Sequence, residues 1–341
     1  LPPGVDRVVD PGQSTSTLLN EQAMAMSVTD LEPHDAVAVY KNSGIDIRRY
    51  KNLQLFVHGE ALMGNATQLA SGDFSVFIRL GADYKDNYYE YEVPLTITPP
   101  GTYNNNSPAD RLKVWPRESM IDCDLSKLTT LKKRRNTEKQ KPHSGISYTT
   151  LYSESDEDNP ANSMTVVGNP SLSEVTVVMI GVRNKSNDVK SGKVWVNELR
   201  MNGIEEEGGW AAKGNATLRI SDLATIAASG NYTSAGFGSI EQSSAERQLN
   251  NDWEYTVSGQ TDIGKWLPEQ LKITAPFYYS RAKAVSTPKY DPYNEDMELE
   301  ETLESFSTKT RRNSIRDMVQ TIDKMRSMSL SGVRFNIKSH H

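Results

Sequence analysis

One stretch of the chain constrains its fold more than any other: GWAAKGNATLRISDLATIAASGNY, Gly209 to Tyr232. Trp210, Ala212, Gly214, Ala216, Leu218 and Ile220 occupy alternate positions, with Lys213, Asn215, Thr217, Arg219 and Ser221 between them. After SDL the alternation resumes at Ala224, Ile226, Ala228, Gly230 and Tyr232. A period of two places side chains on opposite faces of a strand, so this is a hairpin with one apolar and one polar face. What each face meets decides the kind of protein.

The 341 residues suffice for two or three domains. Hydrophobic residues make up 36%, below the globular average of about 45–50% that also counts glycine. A packed core is therefore expected over part of the chain only. No run of about 18 apolar residues supplies a transmembrane helix, but barrel strands of about 9–11 residues, half of them polar, escape such a test. The net charge of −6 gives no reason to expect a nucleic-acid partner. The chain starts LPPGVDRVVD, without an initiator Met or signal peptide, and stops at FNIKSHH in mid-pattern, so a piece of a longer protein is expected. The single cysteine, Cys123, reads as a small buried hydrophobe.

Residues 1–35 are polar and punctuated by proline, an expected extended lead-in. Residues 36–202 carry strand patterns at sandwich spacing. LQLFVHGEAL aligns Leu53, Leu55 and Val57, and DFSVFIRLGADY aligns Phe74, Val76, Ile78 and Leu80. NYYEYEVPLTI ends in Pro94, a sign of an edge or bulge. EVTVVMIGVR (Glu174 to Arg183) is apolar at nearly every position and is expected to lie centrally. KVWVNELRM sets Val194 and Val196 against Trp195. RESMIDCDLSKLTTLKKRRN predicts a helix over 117–136 with basic last turns, and the polar stretch 136–163 predicts a flexible loop. Both Tyr152–Asn159 and Lys132–Arg135 are expected to be accessible.

From residue 203 to 341 the apolar side chains become small and the alternation regular. Strands are predicted at about 210–220, 224–232, 254–263, 271–281 and 328–338, the last carrying Val333, Phe335 and Ile337. The long connections 233–252 and 282–327 contrast with short turns at Ser221–Leu223 and Gly264–Gln270. Ile315, Met318, Val319, Ile322 and Met325 predict one amphipathic helix in the second long connection. In the second hairpin the expected register sets Ile263 opposite Leu271, Gly259 opposite Ala275, Val257 opposite Phe277 and Tyr255 opposite Tyr279.

A soluble sandwich and an outer-membrane barrel both explain such alternation, and three features favour the barrel. Aromatic residues mark strand ends as interfacial girdles do: Trp210, Tyr232, Trp253, Tyr255 and Tyr279, with Trp266 in the opposite turn. Short and long connections alternate, as periplasmic turns and outer loops do. The mid-strand apolar residues are small, whereas a sandwich core needs bulk to fill about 10 Å between sheets. The lipid-facing set is then Ala212, Gly214, Ala216, Leu218, Ile226, Ala228, Val257, Gly259, Ile273, Ala275 and Phe277. The lumen-facing set is Lys213, Asn215, Thr217, Arg219, Thr256, Gln260, Asp262 and Lys272. The expected class is all-β: a jelly-roll-like β-sandwich followed by antiparallel transmembrane β-barrel hairpins.

At these residues a resemblance enters. The segments VWVNELRMNGIEEEGGWAAKGNATLRISDLATIAASGNYTSAGFGSIEQ, ERQLNNDWEYTVSGQTDIGKWLP and PFYYSRAKAVSTPKYDPYNEDMEL resemble the SprA/Sov family, most specifically over Val194–Leu299. The resemblance implies part of a very large single-chain outer-membrane barrel, the translocon of type IX secretion, with a link to gliding motility. It also implies secreted cargo proteins as passengers and accessory proteins at the extracellular and periplasmic faces. Outer-membrane lipid is the remaining partner.

No catalytic signature is present: HExxH, GxSxG and a phosphate loop are all missing, and SGK at Ser191–Lys193 lacks the rest of one. The expectation is a non-enzyme without cofactor or metal. His58 reads as a satisfied strand-end residue, and the acidic run Asp291–Glu304 lacks calcium-loop spacing. Tyr88, Tyr89 and Tyr91 are the one tyrosine cluster and read as strand packing. The alternative function is a surface-exposed binding module, a carbohydrate-binding or adhesin-type β-sandwich, since VWVNELR resembles the last strand of carbohydrate-binding jelly rolls.

Overall fold

Alternation becomes burial first in the N-terminal half. Leu53, Leu55 and Val57 are all buried, as are Phe74, Val76, Ile78 and Leu80. The computed structural model describes residues 1–5, 22–62, 68–204, 208–242, 246–306 and 308–335. It forms two units, Leu1–Glu205 and Glu206–His341.

The first unit runs β1 (Met24–Leu31), β2 (Ala36–Ile45), β3 (Tyr50–Ala61), β4 (Phe74–Gly81), β5 (Tyr88–Pro94), α1 (Pro108–Val114), β6 (Ile121–Asp124), α2 (Leu125–Lys139), β7 (Tyr152–Ser155), β8 (Ser163–Val167), β9 (Val175–Asn184) and β10 (Lys190–Ile204). Two antiparallel sheets result, in the orders β1-β10-β3-β6 and β2-β9-β4-β5-β8-β7. Their inward residues, among them Leu55, Val76, Tyr89, Tyr91, Val182 and Val194, make one core. Tyr89 and Tyr91 therefore pack inward, and β9 is an interior strand. Cys123 sits in the same core, where burial pushes its thiol up and keeps it protonated.

Five expectations change here. The lead-in is not all extended coil, because β1 pairs with β10, Met26 opposite Val194. Residues 6–21 of it lie outside the described residues. Pro94 marks the end of β5 rather than an edge, since β5 lies between β4 and β8 and proline's missing donor is harmless at a strand's last residue. The helix starts at Leu125, not 117. Ile121 and Cys123 alternate inward and pair with Leu55 and Leu53, so the preceding residues join the sheet. Asp124 then caps the helix by accepting from the Ser126 amide at 2.9 Å. Its basic end is only partly accessible: Arg134 is exposed, but Lys132 and Arg135 are fully buried on the face that also carries Leu128 and Leu131. Lys132 Nζ donates to the Pro170 carbonyl at 2.8 Å, and the Arg135 guanidinium stacks 5.0 Å from the Tyr148 ring. Finally, the segment 136–163 holds the end of α2 and strand β7, which pairs with β8.

A buried polar cluster ties that segment down. The fully buried Asp156 carboxylate accepts from Tyr91 Oη at 2.6 Å and from the Lys127 ammonium, and Asn162 donates to Tyr91 Oη at 3.1 Å. Nearby, Gly168 turns the chain after β8 at φ +72, and a Cβ there would stand 2.0 Å from the Asp86 carbonyl oxygen. Gly168→Ala combines a left-handed backbone with a clash against main chain. It is expected to lower stability by about 1–3 kcal/mol, read as a shifted denaturation midpoint. An unchanged midpoint would refute the tight packing of this turn.

The second unit runs β11 (Ala211–Ile220), β12 (Ala224–Thr233), β13 (Asn250–Asp262), β14 (Ile273–Thr274), β15 (Pro276–Pro288), β16 (Tyr290–Asp291), β17 (Asn294–Glu298), α3 (Leu299–Glu304), α4 (Lys309–Val319), β18 (Thr321–Leu330) and β19 (Arg334–Phe335). Five strands form one antiparallel sheet in the order β11-β12-β13-β15-β18. It is open: among the described residues β11 and β18 are its edges.

The fourth and fifth strands differ from expectation. β15 starts later and runs to Pro288, while α4 stops at Val319. Ile322 and Met325 lie on β18, which occupies 321–330 rather than 328–338. Helical spacing across Ile315–Met325 was therefore mixed: its first half is helix and its second half is strand. Phe335 belongs to a two-residue bridge with β14, and Ile337 lies outside the described residues.

Candidate functional site

The ladder of the five-stranded sheet arranges its residues in rows. Ala216 faces Ala228, which faces Val257, which faces Arg281, which faces Arg326. The next row is Gly214, Gly230, Tyr255, Lys283 and Lys324. Beyond it come Ala212, Tyr232, Trp253, Val285 and Ile322. Toward the short turn lie Leu218, Ile226, Gly259, Tyr279 and Met328, then Ile220, Ala224, Thr261, Phe277 and Leu330. All these share one face, because paired residues lie on the same side of a sheet. The other face carries Lys213, Asn215, Thr217 and Arg219 on β11, then Thr225, Ser229, Glu254, Thr256, Ser258 and Gln260 on β12 and β13.

The register of the second hairpin is shifted by four residues from expectation. Val257 faces Arg281, not Phe277; Gly259 faces Tyr279, not Ala275; Tyr255 faces Lys283, not Tyr279. An even shift preserves the face, so Phe277 and Tyr279 remain on the Val257 side. Its cause is the turn. Ile263–Trp266 and Glu269–Leu271 are short 3-10 turns around Pro268, and Lys272 adopts a left-handed φ of 46. Ile263 and Leu271 therefore do not pair in the sheet. Asp262 Oδ1 accepts the amides of Gly264 at 2.9 Å and Ala275 at 2.7 Å, which closes the loop. Four residues of the expected faces thus belong to this closure: Asp262, Lys272, Ile273 and Ala275.

The same turn is stapled to its neighbour. Lys265 Nζ lies 3.0 Å from an Asp222 carboxylate oxygen, and Thr261 Oγ1 donates to the Leu223 carbonyl at 2.7 Å. Trp266 Nε1 donates to Thr261 Oγ1 at 2.7 Å. Aromatic residues collect at both ends of the sheet. Trp210 and Tyr232 stack with ring centroids 4.5 Å apart, and Trp253 and Tyr255 at 6.1 Å, near the long connections. Tyr279 and Phe277 lie instead toward the short turns, where Trp266 also sits. Tyr279 thus changes bands relative to expectation, by the four-residue shift.

Large apolar side chains on this sheet stand in the open: Leu218 is 58% exposed, Met328 73% and Leu330 55%. Every residue of β11 is exposed on both faces. The sequence reading missed Arg281, Lys283, Lys324 and Arg326, which gather on the otherwise apolar face. Lys283, Lys324 and Arg326 fall in the stretch expected to be loop or helix. The alternating SRAKAV of β15 carried the signal.

In the first unit a cleft of about 610 Å³ is lined by Phe56, Trp115, Gln54, Asp122, Arg117 and Asn162, among others. His58, its ring 5.8 Å from that of Trp115, is held by the Val114 carbonyl at 2.7 Å and Thr98 Oγ1 at 3.0 Å, and burial lowers its pKa. That is a structural role.

A search of curated proteins finds no match. A family model, SprA_N, described as motility related/secretion protein, matches residues 1–303. That span takes in the whole first unit and the sheet of the second through β15. The chain therefore belongs to the SprA_N family of motility-related and secretion proteins.

Proposed function

We propose that this chain is part of an outer-membrane β-barrel translocon that conducts folded proteins in type IX secretion, with a role in gliding motility. One observation carries the reading: an antiparallel sheet whose apolar face is as open as its polar face. In a soluble sandwich that face would need a covering layer; in a barrel lipid is the cover and water fills the other side. The alternation of short stapled turns with long connections supports the same reading, as do the two aromatic bands. Closing the barrel requires further strands beside β11 and β18, since an open edge in hydrocarbon leaves amides unpaired. In this role the chain has no catalytic task. Its partners are outer-membrane lipid, the secreted cargo, and accessory proteins at the two faces.

The β-sandwich unit belongs outside the cell in this reading. With short turns at the periplasmic side, β11 starts at the outer surface. Only residues 205–210 separate it from β10, a reach of about 20 Å against a hydrocarbon core of about 30 Å. An epitope tag tests the orientation. Ser155 is a poor site because it pairs with Ser163. Gly145, in the connection between α2 and β7, is suitable. A tag there is expected to be labelled on intact cells. Labelling only after the outer membrane is permeabilised would reverse the orientation. Loss of heat-modifiable outer-membrane protein would refute the barrel itself.

A second reading, sugar binding by the sandwich, is favoured by the cleft beside Trp115, where aromatic and amide side chains meet. Gln54→Ala and Asp122→Ala together are expected to abolish any glycan retention by the protein without lowering its denaturation midpoint. Retention unchanged in the variant would end this reading.

A further inference from the structure

The apolar face of the five-stranded sheet contains a feature that lipid chains alone do not explain. Arg281 stands directly opposite Arg326, and Lys283 opposite Lys324. Such cross-strand neighbours have Cβ atoms about 4.5–5.5 Å apart, and like charges so placed repel. The two pairs are consecutive on one face, about 6.8 Å apart along the strands. Four positive charges thus share one small patch. Among the described residues that face of the sheet carries no Asp or Glu, and none of the four cations has a salt-bridge partner. Glu254 is nearby in sequence register but on the opposite face, paired with Ala284. Two of the cations lie against aromatic rings. Lys283 Nζ lies 4.9 Å from the Trp253 ring, and Arg326 Nε donates to Tyr279 Oη at 3.2 Å. Rings can orient a cation but do not cancel its charge.

We propose that Arg281, Lys283, Lys324 and Arg326 form a binding site for the phosphate groups of a phosphorylated glycolipid in the outer leaflet. The proposal rests on the barrel reading above. Uncompensated, each cation on a lipid-facing surface would oppose insertion. An anionic headgroup removes that penalty and the mutual repulsion together. Guanidinium groups present two parallel donors to phosphate oxygens, and the lysines add point charges. The lysine row is the one nearer the long connections and borders the row of Tyr232 and Trp253. In the proposed orientation that end is the outer one. The site therefore selects the outer-leaflet glycolipid over a phospholipid of the inner leaflet. Acyl chains would lie along the small residues Ala216, Ala228 and Gly230, which leave room for them.

The test uses the full-length protein that carries this chain, purified in detergent. Binding of lipid A, of its dephosphorylated form, of phosphatidylglycerol and of inorganic phosphate is measured by native mass spectrometry. The native protein is expected to retain lipid A and to discriminate against the other three probes. Arg281→Ser with Arg326→Ser should weaken lipid A binding about tenfold or more, and the fourfold serine variant further. Arg281→Lys with Arg326→Lys should retain most of it. Serine removes charge from a lipid-facing surface, so assembly should be preserved, and the double variant serves if the fourfold one fails. Equal binding of lipid A by native and serine proteins overturns the site. Equal binding of the dephosphorylated lipid overturns the phosphate role, and equal binding of phosphatidylglycerol or free phosphate overturns the glycolipid assignment. Failure of the barrel reading is separately visible: the native protein would then not fractionate with the outer membrane or show heat-modifiable migration.

Discussion

Ala216→Arg is expected to cost about 2–4 kcal/mol in the membrane and to deplete the heat-modifiable, outer-membrane form of the protein. Thr217→Arg, one residue on, is expected to assemble normally. The two sites are adjacent in sequence and both exposed. They differ only in face: Ala216 continues the row of Ala228 and Val257, while Thr217 pairs with Ala227 on the side of Thr256 and Ser258. A charge added among Asn215, Thr217 and Arg219 enters a polar setting, whereas one at Ala216 meets hydrocarbon. Arg281 shares the Ala216 row, but three strands away and within a cluster of four cations. An arginine at position 216 has neither the neighbouring rings nor the phosphate groups proposed for that cluster. Assembly of both variants to the same level would mean that neither face meets lipid. Failure of Thr217→Arg alone would mean that the faces are exchanged.

Asp156→Ala should destabilise the first unit by about 3 kcal/mol or more, read from chemical denaturation of the full chain. The carboxylate is almost fully buried and serves Tyr91, Lys127 and the Asp158 amide together. Removing it leaves a buried phenol hydroxyl without its acceptor and the half-buried Lys127 ammonium with Asp158 alone. Burial alone would raise the Asp156 pKa. The hydrogen bonds from Lys127 and Tyr91 outweigh it and hold the carboxyl below its ordinary range. The folded value is thus depressed, so the stabilisation is complete above the unfolded value of about 3.9 and is lost as pH falls through the folded one. Native protein should lose this contribution only below about pH 4. Asp156→Ala should lack that part of the acid dependence. Equal acid sensitivity in both proteins would assign the acid response to other carboxylates.

Face assignment was legible in the sequence because it depends only on a period of two. Ala212, Gly214, Ala216, Leu218, Ile226, Ala228, Val257, Gly259 and Phe277 group by parity alone, and the ladder leaves them on one side. The core of the first unit was legible for the same reason, through Leu53, Leu55, Val57 and the Phe74–Leu80 series. The SprA-like motifs likewise stood in the linear order of residues.

Register was not legible, because it is set by how a turn closes. The hydrogen bonds from Gly264 and Ala275 to Asp262 lengthened the second turn and moved every partner on β15 by four residues. The switch from α4 to β18 at Val319–Thr321 was equally hidden. Ile322 and Met325 satisfy helical spacing by themselves, and only pairing with Val285 and Ala282 selects the strand. The sequence alone thus determined which residues share a face, since side-chain alternation is a local property of the extended backbone. Only the tertiary structure decided which residues meet across it. The basic patch of Arg281, Lys283, Lys324 and Arg326 is the consequence: two cations from one strand and two from another become neighbours only when the ladder between β15 and β18 forms.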